Sequence, residues 1–373
     1  MKLLLLATIW ITHHPGDSTP EGTILRELAV LQQKDGIFPS TRVHASRPER
    51  VRSDDNIFFT GLIVLGLKQL RPMLHGADAE HCDTIVARAQ RAYPNYRNAS
   101  GRLTYNFWQT QPPEIFPGDP WLRLGNRSHA LPDDLDDTSI LLSGLDLPDS
   151  SARRVKALME ACARGAFHNS YRRYKRMGAY STWFGKKMPP DMDASVLCNV
   201  LYWVCRSGLP WSRTDSASIR VLRDLLVRGR IESDAAYASP HYARSPVVIY
   251  HYARLMSVCP ALDSVKPLLI GQAAAALKTA VGLDRVLLST ALLRLGVPVS
   301  QLAPVTVDLR DEDARFVFFI ASFSDYFRNP FRRIFLHTPL FRYEFRCKAY
   351  NRFLLLEYLL VREAAEMPVK SQF

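Results

Sequence analysis

The run Pro132-Asp133-Asp134-Leu135-Asp136-Asp137-Thr138-Ser139 sets four carboxyls in five positions, just ahead of an apolar stretch. Asp and Thr at a helix start accept bonds from free backbone N–H groups and complement the helix dipole. One or two aspartates are enough for that role, and four repel one another. Crowded carboxylates raise each other's proton affinity, and burial raises it further. Such a knot of side chains can hold a carboxylic acid protonated near neutral pH. Helix capping is the competing explanation.

Aromatic residues gather in neighbouring stretches. Tyr105, Phe107 and Trp108 lie in the segment before the aspartates, Tyr180, Trp183 and Phe184 in the next long loop, and Phe58 and Phe59 early in an apolar helix. Aromatic faces stabilise cations, so these side chains can line a binding chamber for a cationic intermediate; ordinary packing is the alternative. His241, in Ser239-Pro240-His241-Tyr242-Ala243-Arg244, can hydrogen-bond the aspartates and orient an acid, or be a satisfied structural histidine. His129 and His251 offer less.

The elements that must position these residues form a loose repeat of helix pairs. Helical patterns run Ile24 to Lys34 and Ile57 to Leu70; Asp78 to Ala92 and Ser139 to Leu145; Ser151 to Ala166 and Ala194 to Cys205. Further patterns follow at Ser216 to Arg228 with Pro246 to Met256, Ser264 to Ala280 with Asp284 to Leu295, and near Asp311 to Phe323 and Lys348 to Arg362. The first helix of each pair is amphipathic with a basic face; the second is apolar nearly all round and therefore buried. Alternating helices of these two kinds predict an all-α chain, an α/α toroid with concentric inner and outer helices in about six pairs. A curved solenoid is the rival. The long loops Tyr93 to Asp134 and Tyr171 to Asp191 both run from an outer to an inner helix, which places them at one end. Long ordered loops are often functional. No linker divides residues 1–373, so one domain is expected. Residues 1–18 would be an extra N-terminal helix or a weak signal-like segment, and residues 326–373 a basic, aromatic segment packed on the toroid.

Asp134-Leu135-Asp136-Asp137-Thr138 resembles the DxDD(T) motif of class II terpene cyclases such as the squalene-hopene cyclases, within the superfamily that includes protein prenyltransferases. Those enzymes are also α/α toroids. The resemblance implies an isomerase or lyase that cyclises a linear, hydrophobic polyprenyl substrate by protonation. Asp136 would be the general acid, with Asp134 and Asp137 supporting it. Gln32-Gln33-Lys34-Asp35-Gly36-Ile37-Phe38 is similar to that family's QW repeat, with Phe in place of Trp. The family generally pairs this toroid with a second helical domain, for which this chain is too short. It would then act as a lone toroid, pair with a partner helical domain or a second copy, or have lost the activity. The resemblance implies no cofactor. Asp133, Asp134 and Asp137 also match the DDxxD pattern of class I terpene synthases, where carboxylates bind Mg²⁺ through a substrate diphosphate; the second ligand set is missing from the sequence.

Other classes are bounded by composition. The net charge of +12 favours acidic partners or anionic surfaces, or is a solvated Arg-rich exterior. Arg328, Arg332, Arg333, Arg342 and Arg346 alternate with aromatics near the C-terminus, a pattern that suits peripheral membrane contact or packing topped by arginine. No nucleic-acid-binding motif accompanies the charge. Six scattered cysteines without a CxxC pair argue against structural zinc and suit a reducing, cytoplasmic setting. Stretches of ~18 apolar residues, long enough to span a membrane, are missing. Two alternatives stay open: a six-hairpin carbohydrate-active enzyme pairing Asp136 with Asp193 or Asp54, and a non-catalytic binding or scaffold toroid.

Overall fold

A computed structural model describes residues 19–114, 131–163, 165–168, 170–185 and 187–367. The proposed N-terminal segment 1–18, and His129, lie outside the described residues. The longer elements are α1 (Pro20–Leu31), the hairpin β1 (Ser40–His44) and β2 (Arg47–Asp54), α2 (Phe58–Leu70), α3 (Gly76–Gln90), α4 (Leu135–Ser143) and α5 (Asp149–Cys162). There follow α6 (Ala194–Arg206), α7 (Arg213–Val227), α8 (Ser245–Met256), α9 (Lys266–Leu277) and α10 (Gly282–Arg294). The chain ends with α11 (Leu309–Arg315), β3 (Phe319–Ser322), β4 (Arg342–Arg346) and α12 (Lys348–Glu366).

The two helix characters seen in the sequence separate in space. In α2 and α6 nearly every residue is buried, because Val, Leu, Ile, Phe and Trp surround the helix. In α3 only Ala79, Cys82, Ile85 and Ala89 are buried, a single stripe at helical spacing. The mostly buried helices pack in sequence, α2 on α4, α4 on α6, α6 on α8, α8 on α10, α10 on α12, and α12 in turn on α2. The amphipathic helices flank them: α1 on α12 and α3, α3 on α2, α7 on α6, α9 on α8 and α10. Lys156 of α5 reaches Asp215 of α7 at 2.6 Å, with both side chains buried.

Two glycines let α2 approach both neighbours. A Cβ at Gly61 would lie 2.6 Å from the Leu141 side chain of α4, and one at Gly66 only 1.9 Å from the Phe353 ring of α12. Gly66→Ala is therefore expected to destabilise the fold by about 1–3 kcal/mol through overpacking, and Phe353→Leu in the same chain to recover part of that loss. Gly271→Ala in α9, where nothing lies within 4 Å, is expected to be neutral or to stabilise by about 1 kcal/mol. Urea midpoints of the three variants check both statements.

The all-α expectation needs correction. The fold is helix-rich, with 57% of it helical, but carries a small four-stranded antiparallel sheet of order β2-β1-β4-β3. Thr41 of β1 pairs with Arg346 of β4, so strands from the two ends of the chain meet. The expected helix Asp311 to Phe323 breaks after Arg315 because the run Phe316-Val317-Phe318-Phe319-Ile320 prefers extended backbone. Arg342-Tyr343-Glu344-Phe345-Arg346, where charge alternates with aromatics, forms a strand, with Phe345 buried and the other four residues half-buried. Lys348–Glu366 packs on α10 and α2 through its buried residues, among them Phe353, Leu356 and Leu360.

Candidate active site

Three chain segments converge at the start of α4. Asp134 N donates to Tyr105 O at 3.2 Å, Leu135 N to Thr182 O at 2.7 Å, and Phe184 N to Asp133 O at 3.0 Å. The two long loops are thus stitched to the Asp-rich turn. Asp134 caps α4, its Oδ1 accepting from Asp137 N at 2.7 Å. Asp193 caps α6 in the same manner, accepting from the backbone of Ser195 and Val196 at 2.8 and 3.2 Å.

The aspartates are not solvated caps. Asp134, Asp136 and Asp137 are 4%, 5% and 1% exposed. Burial pushes all three carboxyls above the usual range, Asp137 to about 7; the proximity of Asp137 raises Asp134 further. Burial also lifts Asp193, to about 6. The Asp137 backbone bond to Asp134 Oδ1 brings the two carboxyls together, so ionising both in the interior is disfavoured.

Asp136 is held differently. Its Oδ1 accepts from Asn199 Nδ2 of α6 at 2.6 Å and its Oδ2 from Tyr242 Oη at 2.5 Å. Asn199 in turn accepts from the guanidinium of Arg254 of α8, which is 3% exposed and lies over the rings of Tyr202 and Tyr250. A relay of Arg254, Asn199, Asp136 and Tyr242 therefore crosses the interior. The Asn199 and Tyr242 bonds favour the ionised form and temper the rise that burial causes. Asn199 and its donor Arg254 escape a reading by motif; the signal for them is an Asn and an Arg inside largely apolar helices, where buried polar groups need partners.

The Tyr242 ring opens onto an aromatic wall. Its centroid is 6.1 Å from that of Phe58 and 5.7 Å from that of Phe319, and Phe107 stacks on Phe319 at 5.3 Å. Phe58 and Phe107 therefore join the Asp136 neighbourhood. Other expected lining residues are engaged elsewhere. The Tyr105 ring packs on Tyr93, while its backbone bridges to Asp134. Trp108 donates its indole N–H to Asp54, which also holds Arg42 at 2.8 Å. Tyr180 donates to Asp215 at 2.6 Å. Trp183 lies against His241, centroids 6.2 Å apart.

His241 faces the other carboxylates. Its backbone N–H donates to Asp193 Oδ2 at 2.9 Å, and its ring Nε2 lies 3.5 Å from Asp191 Oδ2. Toward Asp136 it acts as a nearby charge. The Mg²⁺ reading of Asp133, Asp134 and Asp137 fits poorly: Asp133 Oδ2 is taken by Asn98 and Thr104, each at 2.5 Å, and Asp134 by the cap. Among the described residues no three His, Cys, Asp or Glu side chains are grouped as a metal site.

No family model matches the chain, and no curated protein matches it. The site therefore rests on its own geometry.

Proposed function

We propose that the chain is an α/α toroid whose Asp-rich end is a Brønsted-acid site of the class II terpene cyclase kind, acting on a linear, hydrophobic polyprenyl substrate. The successive packing of α2, α4, α6, α8, α10 and α12, returning to α2, supports the toroid. The observation that carries the acid reading is the isolation of Asp136. Asp134 and Asp193 cap helices, Asp133 holds a loop and Asp54 pairs with Arg42, whereas the described bonds of the Asp136 carboxyl come from side chains of other elements.

In the step proposed, the Asp136 O–H gives its proton to a terminal alkene. The alkene electrons form the new C–H bond and leave a carbocation that the faces of Phe58 and Phe107 favour. Asn199 and Tyr242 hold the carboxylate that remains. A proton lost from the cyclised product restores the acid, so the reaction is an isomerisation and no cofactor takes part. A reducing, cytoplasmic setting suits the six free thiols, and among the described residues no helix is long and apolar enough to cross a membrane. Pairing with a second copy or a helical partner, and peripheral membrane contact, belong to the same reading.

Incubation with linear C15 to C30 polyprenyl substrates tests it: cyclic products support the proposal, and their absence across the series argues against it. The side-chain Tyr242 refines the test. Tyr242→Phe removes a donor that favours the anion, so the alkaline limb of the pH–rate profile is expected to move to higher pH. A non-catalytic toroid is favoured by one observation, the true capping roles of Asp134 and Asp193; in that case the Tyr242 variant changes stability alone.

A further inference from the structure

The outer strand β2 carries a second chemical feature, remote from Asp136 in its logic and built on the opposite charge. Seven of its eight residues are exposed, among them Arg47, Arg50 and Arg52. In the ladder Arg52 stands directly opposite Arg42 of β1, whose charge Asp54 balances. Like charges in that position destabilise a sheet unless something compensates them.

The arginines border a cleft of about 330 Å³ on this face, together with His44 and Tyr343. Its floor is rigid. The Arg42 side chain is fully buried, 2.8 Å from Asp54 Oδ2, and its guanidinium lies 5.5 Å from the centroid of Tyr343. His44 Nδ1 accepts from Ser46 N at 3.3 Å and contacts Ser46 Oγ at 2.7 Å, while Nε2 reaches Leu340 O at 3.1 Å. The ring is thus locked as the Nε2–H tautomer and shapes the turn between the strands. Compensating charge is thin. Asp54 is taken by Arg42, and Glu49 touches only Arg50, at 3.9 Å with both side chains exposed. Among the described residues no carboxylate is ion-paired to Arg47 or Arg52.

We propose that this cleft binds a phosphate group, carried either by a soluble phosphate compound or by a lipid headgroup. Guanidinium groups match phosphate oxygens with paired N–H donors, and an anion held by the exposed Arg47, Arg50 and Arg52 supplies the charge that no described carboxylate gives Arg47 or Arg52. Charged residues on an outer strand also prevent edge-to-edge pairing, but that role calls for neither a cleft nor a buried guanidinium beneath it. The site does not depend on Asp136 being an acid.

The full chain is titrated with inorganic phosphate and inorganic pyrophosphate by calorimetry at constant ionic strength. In parallel it is floated with phosphatidylcholine vesicles with and without phosphatidic acid. Two variants are compared, Arg50→Ser with Arg52→Ser in the cleft, and Arg153→Ser with Arg154→Ser on the exposed face of α5. Saturable binding of the soluble anions, weakened at least about tenfold in the cleft variant only, identifies a soluble phosphate ligand. Binding confined to phosphatidic acid vesicles, with the same pattern of loss, identifies a headgroup. Binding to neither, or equal loss in both variants, overturns the proposal. Unchanged melting curves for both variants exclude misfolding, since the four replaced side chains are exposed.

Discussion

Asp136→Asn is expected to cut turnover of a polyprenyl substrate by about 10²- to 10⁴-fold, the range a positioned general acid contributes, while leaving the protein as stable as before or more so. The amide keeps the shape of the carboxyl and can still accept from one of the two donors at Oδ1 and Oδ2. It also removes a group that burial disfavours in its charged form. Loss of activity with retained stability is the signature of a residue kept for chemistry. A structural aspartate would show the reverse, with melting lowered and any activity falling in proportion to the folded fraction. Melting curves and product analysis on the same preparation separate the two.

The second large effect is an inverted pH dependence of stability at the aspartates. Asp137 is raised to about 7 and Asp193 to about 6, from an ordinary value of 3.8. Each folded-state value lies above the unfolded one, so each group stabilises the fold fully below pH ~4 and loses that contribution as pH rises through the folded value. His251, buried and held well below its usual value, works the other way as pH falls below ~6.5. A comparison with amide variants cancels it. Between pH 4 and pH 8 the stability of Asp137→Asn relative to the parent chain is expected to improve by about 2–4 kcal/mol, and that of Asp193→Asn by about 2–3 kcal/mol, at 1.36 kcal/mol per unit. Asn is a good N-cap, so Asp193→Asn keeps the start of α6. Denaturant melts across pH measure the differences; a flat difference for both variants would mean that these carboxyls are ionised in the folded chain.

Much of the helical framework was legible because it follows local patterns. The apolar run in α2 and the stripe in α3 state their burial outright, and the Asp-rich turn announces the start of α4. The sheet was not legible, since Thr41 finds its partner at Arg346 and neither strand carries a long alternating pattern. The aspartates and His241 could be read as neighbours of one end, but not their partners. Which carboxyl caps a helix and which meets Asn199 is decided by the packing of α4 against α6 and α8, and no short motif encodes that. Tyr105 and Tyr180 show the same limit: their positions at the stitched loops were readable, and the directions of their rings were not.

The central claim is that the Asp136 carboxyl is held protonated inside an aromatic, water-poor interior. A ¹³C NMR titration of the aspartate side chains, with the Asp136 resonance assigned by its absence in Asp136→Asn, tests this most directly. The account predicts a carboxyl carbon that titrates above the ordinary aspartate value of about 3.9 and moves further up in Tyr242→Phe. A resonance that titrates at the ordinary value, unmoved by the Tyr242 change, would contradict it.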